Sequence, residues 1–401
     1  SKQTHELRVT SPAEDRFRFT AGLFYQRQTD YDQANYSVAG LGSADQSIQL
    51  GYTAIPGLGD AVFARRLRRV DIDRAVFGEA SYDITPALTL TGGIRLFEAE
   101  NRLTGFSGFA SDIDETCVPS VEADRPCDNV IRQTEEEGET YKLSLAYDIN
   151  DDIMVYGTYS TGYRPGGANR RADVPGYTSD TIDNYEIGWK SILFDNALRF
   201  NASVFYQRWE DLQFGLSPPD FNGVTFIFNA GGADVAGIET DFSWVLGNLT
   251  LSGSAAYINA ELTEDFCNFD DLGNATDCAP DGTQLPVQPP FKGTLTARYD
   301  FMLGGLDSYV QGTVLNQSGT RTFLLDSDYA AVGRTEAFTT FDLSTGFDFD
   351  NSAVEFFVNN VTDERGILSR NAACATSICG AFARSYPTQP QQFGVRFSQD
   401  F

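Results

Sequence analysis

Histidine is nearly absent from this sequence, with His5 alone among 401 residues, and methionine is rare, with two. One imidazole argues against His-based metal catalysis. Positive charge is scarce as well: 29 Lys and Arg face 56 Asp and Glu, a formal charge of −27. A nucleic-acid binder needs a cationic face that displaces counterions, so that partner class is excluded. No stretch approaches the roughly 18 consecutive apolar residues of a membrane-spanning helix. There is no nucleophile elbow, P-loop, HExxH or conventional EF-hand loop, so no enzyme, no catalytic residue, no metal site and no cofactor is expected. The acidic stretch Asp270 to Asp277 reads as a solvated loop rather than a Ca²⁺ site. The opening residues Ser1, Lys2, Gln3 and Thr4 include no Met and no charged-then-apolar leader. That predicts numbering that starts partway into something longer, or after processing.

What is present is apolar and aromatic: 41% hydrophobic residues, 13% aromatics and 37 glycines. A disordered chain does not look like this. Period-two alternation dominates. Tyr141, Leu143, Leu145, Tyr147 and Ile149 alternate with polar or small residues. So do Leu198, Phe200, Ala202, Val204 and Tyr206, then Ile238, Thr240, Phe242 and Trp244, then Phe341, Leu343, Phe347 and Phe349. Such segments are strands with one apolar face, and no segment shows a helical stripe. The alternation predicts strands over 4–12, 16–31, 70–84, 87–105, 138–149, 152–164, 181–194 and 197–213. Further strands are predicted over 223–245, 249–264, 292–302, 306–323, 336–349, 352–366 and 386–401.

The connections are sharper than the strands. Short turns follow the first, third, fifth and every later odd-numbered strand, while long linkers follow the even ones, the largest being 32–69, 106–137 and 265–291. An up-and-down antiparallel transmembrane β-barrel, short-turned at the periplasmic rim and long-looped outside, gives this pattern. Soluble sandwiches or a propeller also alternate, but strand length and one-ended loops favour the barrel. Leu143, Leu145, Phe200, Val204, Phe242, Trp244, Phe393, Val395 and Phe397 should then face lipid. Glu186, Glu239, Asp241, Asp342 and Asp348 should wet the lumen. The six cysteines fall into near neighbours, Cys117 with Cys127, Cys267 with Cys278 and Cys374 with Cys379, all in long loops. Three disulfides in an oxidising compartment are expected.

Several blocks carry a family resemblance. Glu6 to Ser11 with Phe17 to Tyr25, Ala75 to Asp83, Leu88 to Arg95, and Tyr156 to Gly167 each resemble barrel hairpins or loop-bound strands. Thr181 to Lys190 and Phe194 to Tyr206 are the most specific, and Phe357 to Arg365 and the aromatic-ended strand Phe393 to Phe401 complete the set. In order and spacing these blocks resemble the C-terminal part of a TonB-dependent outer-membrane receptor. The resemblance implies the outer membrane of a Gram-negative bacterium and a 22-stranded barrel filled by a plug that engages the TonB complex. About fifteen strands are read here, so residues 1–401 are expected to be the C-terminal portion, without the plug and about seven strands. It also implies energised uptake of a scarce small-molecule ligand, first a ferric siderophore, with oligosaccharide or cobalamin as alternatives. A passive porin and a structural surface barrel are the rival classes.

Any ligand site must lie at the long-loop end, and against a −27 background an anionic ligand needs a local cationic patch. Arg65, Arg66, Arg68 and Arg69 end one strand, while Arg164, Arg170 and Arg171 end another. These guanidiniums suit either a vestibule for an anionic ligand or the phosphates of lipopolysaccharide around the rim. Tyr52, Phe106, Phe109, Tyr177, Phe214, Phe221, Phe226, Phe323 and Tyr329 offer loop aromatics for stacking, or simply pack the loops. The candidate ligand set is Arg164, Arg170, Arg171, Tyr177, Phe214 and Phe221.

Overall fold

The computed structural model describes residues 1–40, 53–170, 174–216, 226–269, 275–349, 351–372 and 383–399. Twenty-one strands form among them. The first eight are β1 (Lys2–Thr10), β2 (Phe17–Ser37), β3 (Ala61–Thr85), β4 (Leu88–Phe109), β5 (Val130–Asn150), β6 (Ile153–Arg164), β7 (Asp180–Leu193) and β8 (Leu198–Glu210). Next come β9 (Gln213–Leu216), β10 (Phe226–Asn229), β11 (Ala233–Leu246), β12 (Leu249–Leu262), β13 (Phe266–Phe269), β14 (Ala275–Ala279), β15 (Phe291–Leu303) and β16 (Leu306–Gln317). The last are β17 (Phe338–Asp348), β18 (Ser352–Asn359), β19 (Ile367–Ala372), β20 (Ala383–Pro387) and β21 (Gln392–Gln399).

Fifteen of these make one up-and-down sheet in the order β1 to β8, β11, β12, β15 to β18 and β21. They match the fifteen predicted strands one for one. The remaining six pair as hairpins β9–β10, β13–β14 and β19–β20, all inside long connections.

Several boundaries differ from the sequence reading, and the following have local reasons. β3 begins at Ala61 and β5 at Val130, because polar residues on projecting strands break the apolar alternation without breaking the ladder. The predicted strand over 223–245 is two elements, cut at Gly231, whose φ of +72° turns the chain. β18 stops at Asn359, because Asn360 adopts φ +51° and starts a turn. The final strand starts at Gln392, after Pro387 and Pro390, which cannot donate to a ladder. A seven-residue helix, Asp326–Val332, is too short for a periodic stripe to announce.

The two faces of the sheet follow from the register. Phe200 pairs with Phe242, Val204 with Ile238 and Leu145 with Leu90, so one face is apolar from strand to strand. Leu143, Leu145, Phe200, Val204, Phe393, Val395 and Phe397 are exposed on it, and Phe242 and Trp244 are half-buried there. This is the lipid-facing side of a transmembrane sheet. The opposite face carries Glu186, Glu239, Asp241, Lys190 and Arg298, and Asp342 and Asp348 fall in step with them. Glycine allows its aromatics to lie flat. A Cβ at Gly188 would meet the Tyr156 ring at 2.2 Å, and one at Gly138 the Phe97 ring at 2.6 Å.

β2 to β5 run 21, 25, 22 and 21 residues. A tilted strand needs only about 9–11 to cross the hydrocarbon, so these four rise above it as a wall. Among the described residues every cluster of buried apolar side chains lies at this long-loop end: Leu212, Ala233, Leu262, Ala279 and Leu324; Ile55, Ala64, Phe106 and Cys127; Leu67, Leu103 and Val130.

Candidate functional site

At the long-loop end of the sheet the described loop residues are joined by hydrogen bonds and apolar contacts into a crown. Its central piece is the strap between β6 and β7, described over residues 165–170 and 174–179. The Glu136 carboxylate, on the inner face of β5, accepts from the backbone N–H of Gly166 at 2.9 Å and of Ser179 at 3.0 Å, holding both ends of the strap. Asn101 of β4 accepts from Ala168 N at 3.1 Å, and Ala168 packs on Leu67, Leu103 and Val130. The strap therefore folds inward against the wall.

On its other side the strap holds the β9–β10 hairpin. Asn169, almost wholly buried, donates to Pro175 O at 2.8 Å and Ile227 O at 2.9 Å and accepts from Ile227 N at 2.9 Å. Asn229 and Thr178 exchange two further bonds of 3.0 Å. Asp180, with 2% of its side chain exposed, binds the Arg164 guanidinium and accepts from Gln213 N at 3.0 Å. The Gln213 amide donates to Pro165 O and Thr178 O, both at 3.0 Å. Full satisfaction of these buried amides and charges makes the network stiff, because leaving any of them unpaired is costly.

The candidate residues divide accordingly. Arg164 is engaged by Asp180, donates to Gln213 O at 2.9 Å and lies 5.6 Å over the Trp209 ring. Tyr177 is buried and pairs its backbone with Gly167, and Phe214 packs against Leu212 and its neighbours. These three build the crown. Arg171 and Phe221 lie outside the described residues. Arg170 is 51% exposed and sits 3.8 Å from the Asp32 carboxylate. Asp32 is already gripped by Arg65, at 2.9 Å from Nη2 and 2.8 Å from Nε. The sequence offered Arg65 only within an arginine run, and Asp32 not at all. Only strand register brings them together, since Asp32 pairs with Leu67 on β3 and so faces Arg65 diagonally.

Above this pair on the inner face, Tyr36, Phe63 and Phe109 form a row, with ring centroids 5.5 and 5.2 Å apart. Arg68, by contrast, alternates onto the outer face. Two disulfides stiffen the crown. Cys117–Cys127 is packed with Ile55 and Phe106, and Cys267–Cys278 closes the β13–β14 hairpin. Cys374 and Cys379 lie outside the described residues. Asp277, beside the second disulfide, accepts from Ser327 N at 3.2 Å and Ser327 Oγ at 2.5 Å, linking that loop to the short helix. In chemical terms the mouth offers guanidiniums, a carboxylate and aromatic faces for binding.

A family model described as "TonB dependent receptor-like, beta-barrel" matches residues 7–361. Among curated proteins, the metal-pseudopaline receptor CntO of Pseudomonas aeruginosa is 26% identical over 314 residues, 74% of this chain and 41% of that protein. The probable TonB-dependent siderophore receptor PiuA of Acinetobacter baumannii is 24% identical over 399 residues, 90% of this chain and 49% of that one. Among solved structures, the ferric yersiniabactin uptake receptor FyuA of Yersinia pestis superposes with a TM-score of 0.75 at 16% identity, covering 100% of this chain and 54% of that one. The chain thus spans about half the length of the relatives it matches, or less.

Proposed function

This chain belongs to the TonB-dependent receptor β-barrel family, proteins of the Gram-negative outer membrane that act as receptors rather than enzymes, and on that premise we propose that it serves energised uptake of a ferric siderophore. The observation that carries the reading is the long-loop mouth, where the Arg65–Asp32 pair, Arg170 and a row of aromatics face inward. The relatives' names support the reading: CntO is named as a metal-pseudopaline receptor, PiuA as a probable siderophore receptor and FyuA as a ferric yersiniabactin uptake receptor. No relative reported above is named for a sugar or cobalamin.

The same reading makes residues 1–401 the C-terminal portion of a 22-stranded receptor. A plug and about seven strands would complete it, and the plug would engage the TonB complex. A sheet edge left open in lipid would strand backbone groups at several kcal/mol each, which argues for closure by such strands. Lipid and lipopolysaccharide would surround it, with Arg68 on the outer face near the rim. Radioiron uptake in iron-starved cells tests the proposal. Deleting the gene should abolish accumulation of one ferric siderophore, and inactivating TonB should do the same. Uptake that survives TonB loss would select a passive pore.

A further inference from the structure

We infer that the upper edge of β5, residues 131–139, is a docking edge for another protein, which adds an extended strand to it with Lys or Arg at alternate positions. The inference is independent of the transported ligand. β5 pairs with β4 from Val130 to Tyr147, but with β6 only from Lys142 to Asn150. β6 does not end there. It runs on to Arg164 beside β7 and passes inside the wall, where the Tyr163 ring stacks on Phe97 at 3.5 Å. Glu136 then holds the strap to the inner face. Among the described residues no strand lies along the other side of β5 at this height, and Ile131, Gln133, Glu135, Glu137 and Glu139 are exposed.

Register fixes which groups that edge presents. Tyr141 N–H donates to Thr161 Oγ1 of β6 at 2.8 Å, whereas Asp148 N–H donates to Ala87 O on the β4 side. Odd-numbered N–H groups of β5 therefore point away from β4. Those of Gln133, Glu135, Glu137 and Glu139 form a row with no backbone partner among the described residues. Residues 139–149 already suffice to cross the hydrocarbon, which takes about 9–11 tilted residues, so the row stands above it on the long-loop side. Such a row is a template for strand addition. Its side chains choose the strand. Glu135, Glu137 and Glu139 face outward, the first two directly opposite Glu100 and Glu98 of β4. Arg74 and Arg102 bind Glu98 and Glu100, and Glu139 accepts from the Tyr141 hydroxyl at 3.0 Å. Glu135 and Glu137 have no ion pair among the described residues. A second copy of this edge would set Glu against Glu, which is unfavourable, whereas Lys or Arg opposite these positions gains cross-strand pairing.

The test uses the protein purified from outer membranes and fluorescent peptides of strand length. One alternates Lys and Val, one alternates Glu and Val, and one is the Lys–Val peptide N-methylated at consecutive central residues, so that neither of its edges can donate there. Anisotropy should show binding of the unmethylated Lys–Val peptide alone. That peptide should slow hydrogen exchange at Gln133, Glu135, Glu137 and Glu139, but not at their even-numbered neighbours, whose N–H groups face β4. Glu137→Gln should weaken binding about threefold, the scale of one exposed ion pair. Glu137→Pro removes one edge N–H without touching the β4 ladder and should weaken binding about tenfold. The peptide series decides the matter whether or not the proline variant assembles. Equal binding of the N-methylated or the Glu–Val peptide, or unchanged affinity in an assembled Glu137→Pro, would reduce the effect to charge or apolar adherence and overturn the inference. Absence of Lys–Val binding overturns it too, as does protection that falls on the lipid-facing strands, which would assign the peptide to copurified lipopolysaccharide.

Discussion

The wall and the crown of this protein obey opposite rules. In the wall, large apolar side chains such as Leu143, Val204 and Ile187 are exposed, and among the described residues no cluster of them is buried. In the crown, Phe106, Ile55, Leu262 and Leu324 are buried almost completely, and polar groups such as Asp180 and Asn169 are buried with their hydrogen bonds made. One chain is thus folded for two solvents. The wall needs only a satisfied backbone and an apolar outer face, because lipid supplies the rest of its packing. The crown stands in water and must build cores of its own, and it adds disulfides to do so.

The sharpest break in that contrast is expected inside a crown core. Phe106→Ala should cost about 3–5 kcal/mol locally, the range for emptying a packed aromatic site. Hydrogen exchange should show residues 53–64 and 106–128 losing protection while the wall strands keep theirs. Global loss of the sheet would show that the crown is not a separate unit.

Val204→Arg attacks the other rule. An arginine near mid-bilayer on the lipid face should cost about 2–4 kcal/mol, reducing the heat-resistant species recovered from outer membranes. Its inward neighbour Ser203, replaced the same way, should be tolerated. Equal loss from both would undo the assignment of faces.

Asp180→Ala should cost about 1–3 kcal/mol, since it leaves the Gln213 N–H without its acceptor and the Arg164 guanidinium with the Gln213 carbonyl but no counter-charge. Limited proteolysis should then cut the strap and the β9–β10 hairpin together, because they share Asn169 and Gln213. Cleavage of one without the other would separate them.

The smallest effect is acid sensitivity in the first disulfide loop. Thr116 hydroxyl and backbone N–H bonds hold the Asp114 carboxyl below its ordinary value of 3.8. A lowered folded-state pKa contributes stability above the unfolded value, lost as pH falls through the folded one. Exchange in residues 114–117 should therefore rise only below about pH 4, and Asp114→Asn should remove that pH step.

The wall was legible in the sequence because each strand carries its own record, apolar and polar residues in step. That is why Leu143 and Phe200 were placed without a structure, and why boundaries were missed where Gly231, Asn360 or Pro390 changes the backbone and where polar residues interrupt the alternation in the projecting parts of β3 and β5. The crown was legible only in outline. Neighbouring cysteines reported two of its loops. The joining of Asp32 to Arg65 and Arg170, or of Asn169 to Ile227, spans many residues and depends on register and loop path, which no local pattern encodes. Arg164 looked like a free cation because its carboxylate partner arrives from the next strand.

The chain's three tryptophans test the two-solvent account most directly. Trp189 and Trp244 alternate onto the lipid face, whereas Trp209 lies inward beneath Arg164 in the crown. Single-tryptophan variants, with the other two replaced by Phe, would be reconstituted in vesicles of acyl-chain-brominated lipid. The account predicts strong quenching of Trp189 and Trp244 and almost none of Trp209. Quenching of Trp209 to the same degree, or unquenched Trp244, would contradict it.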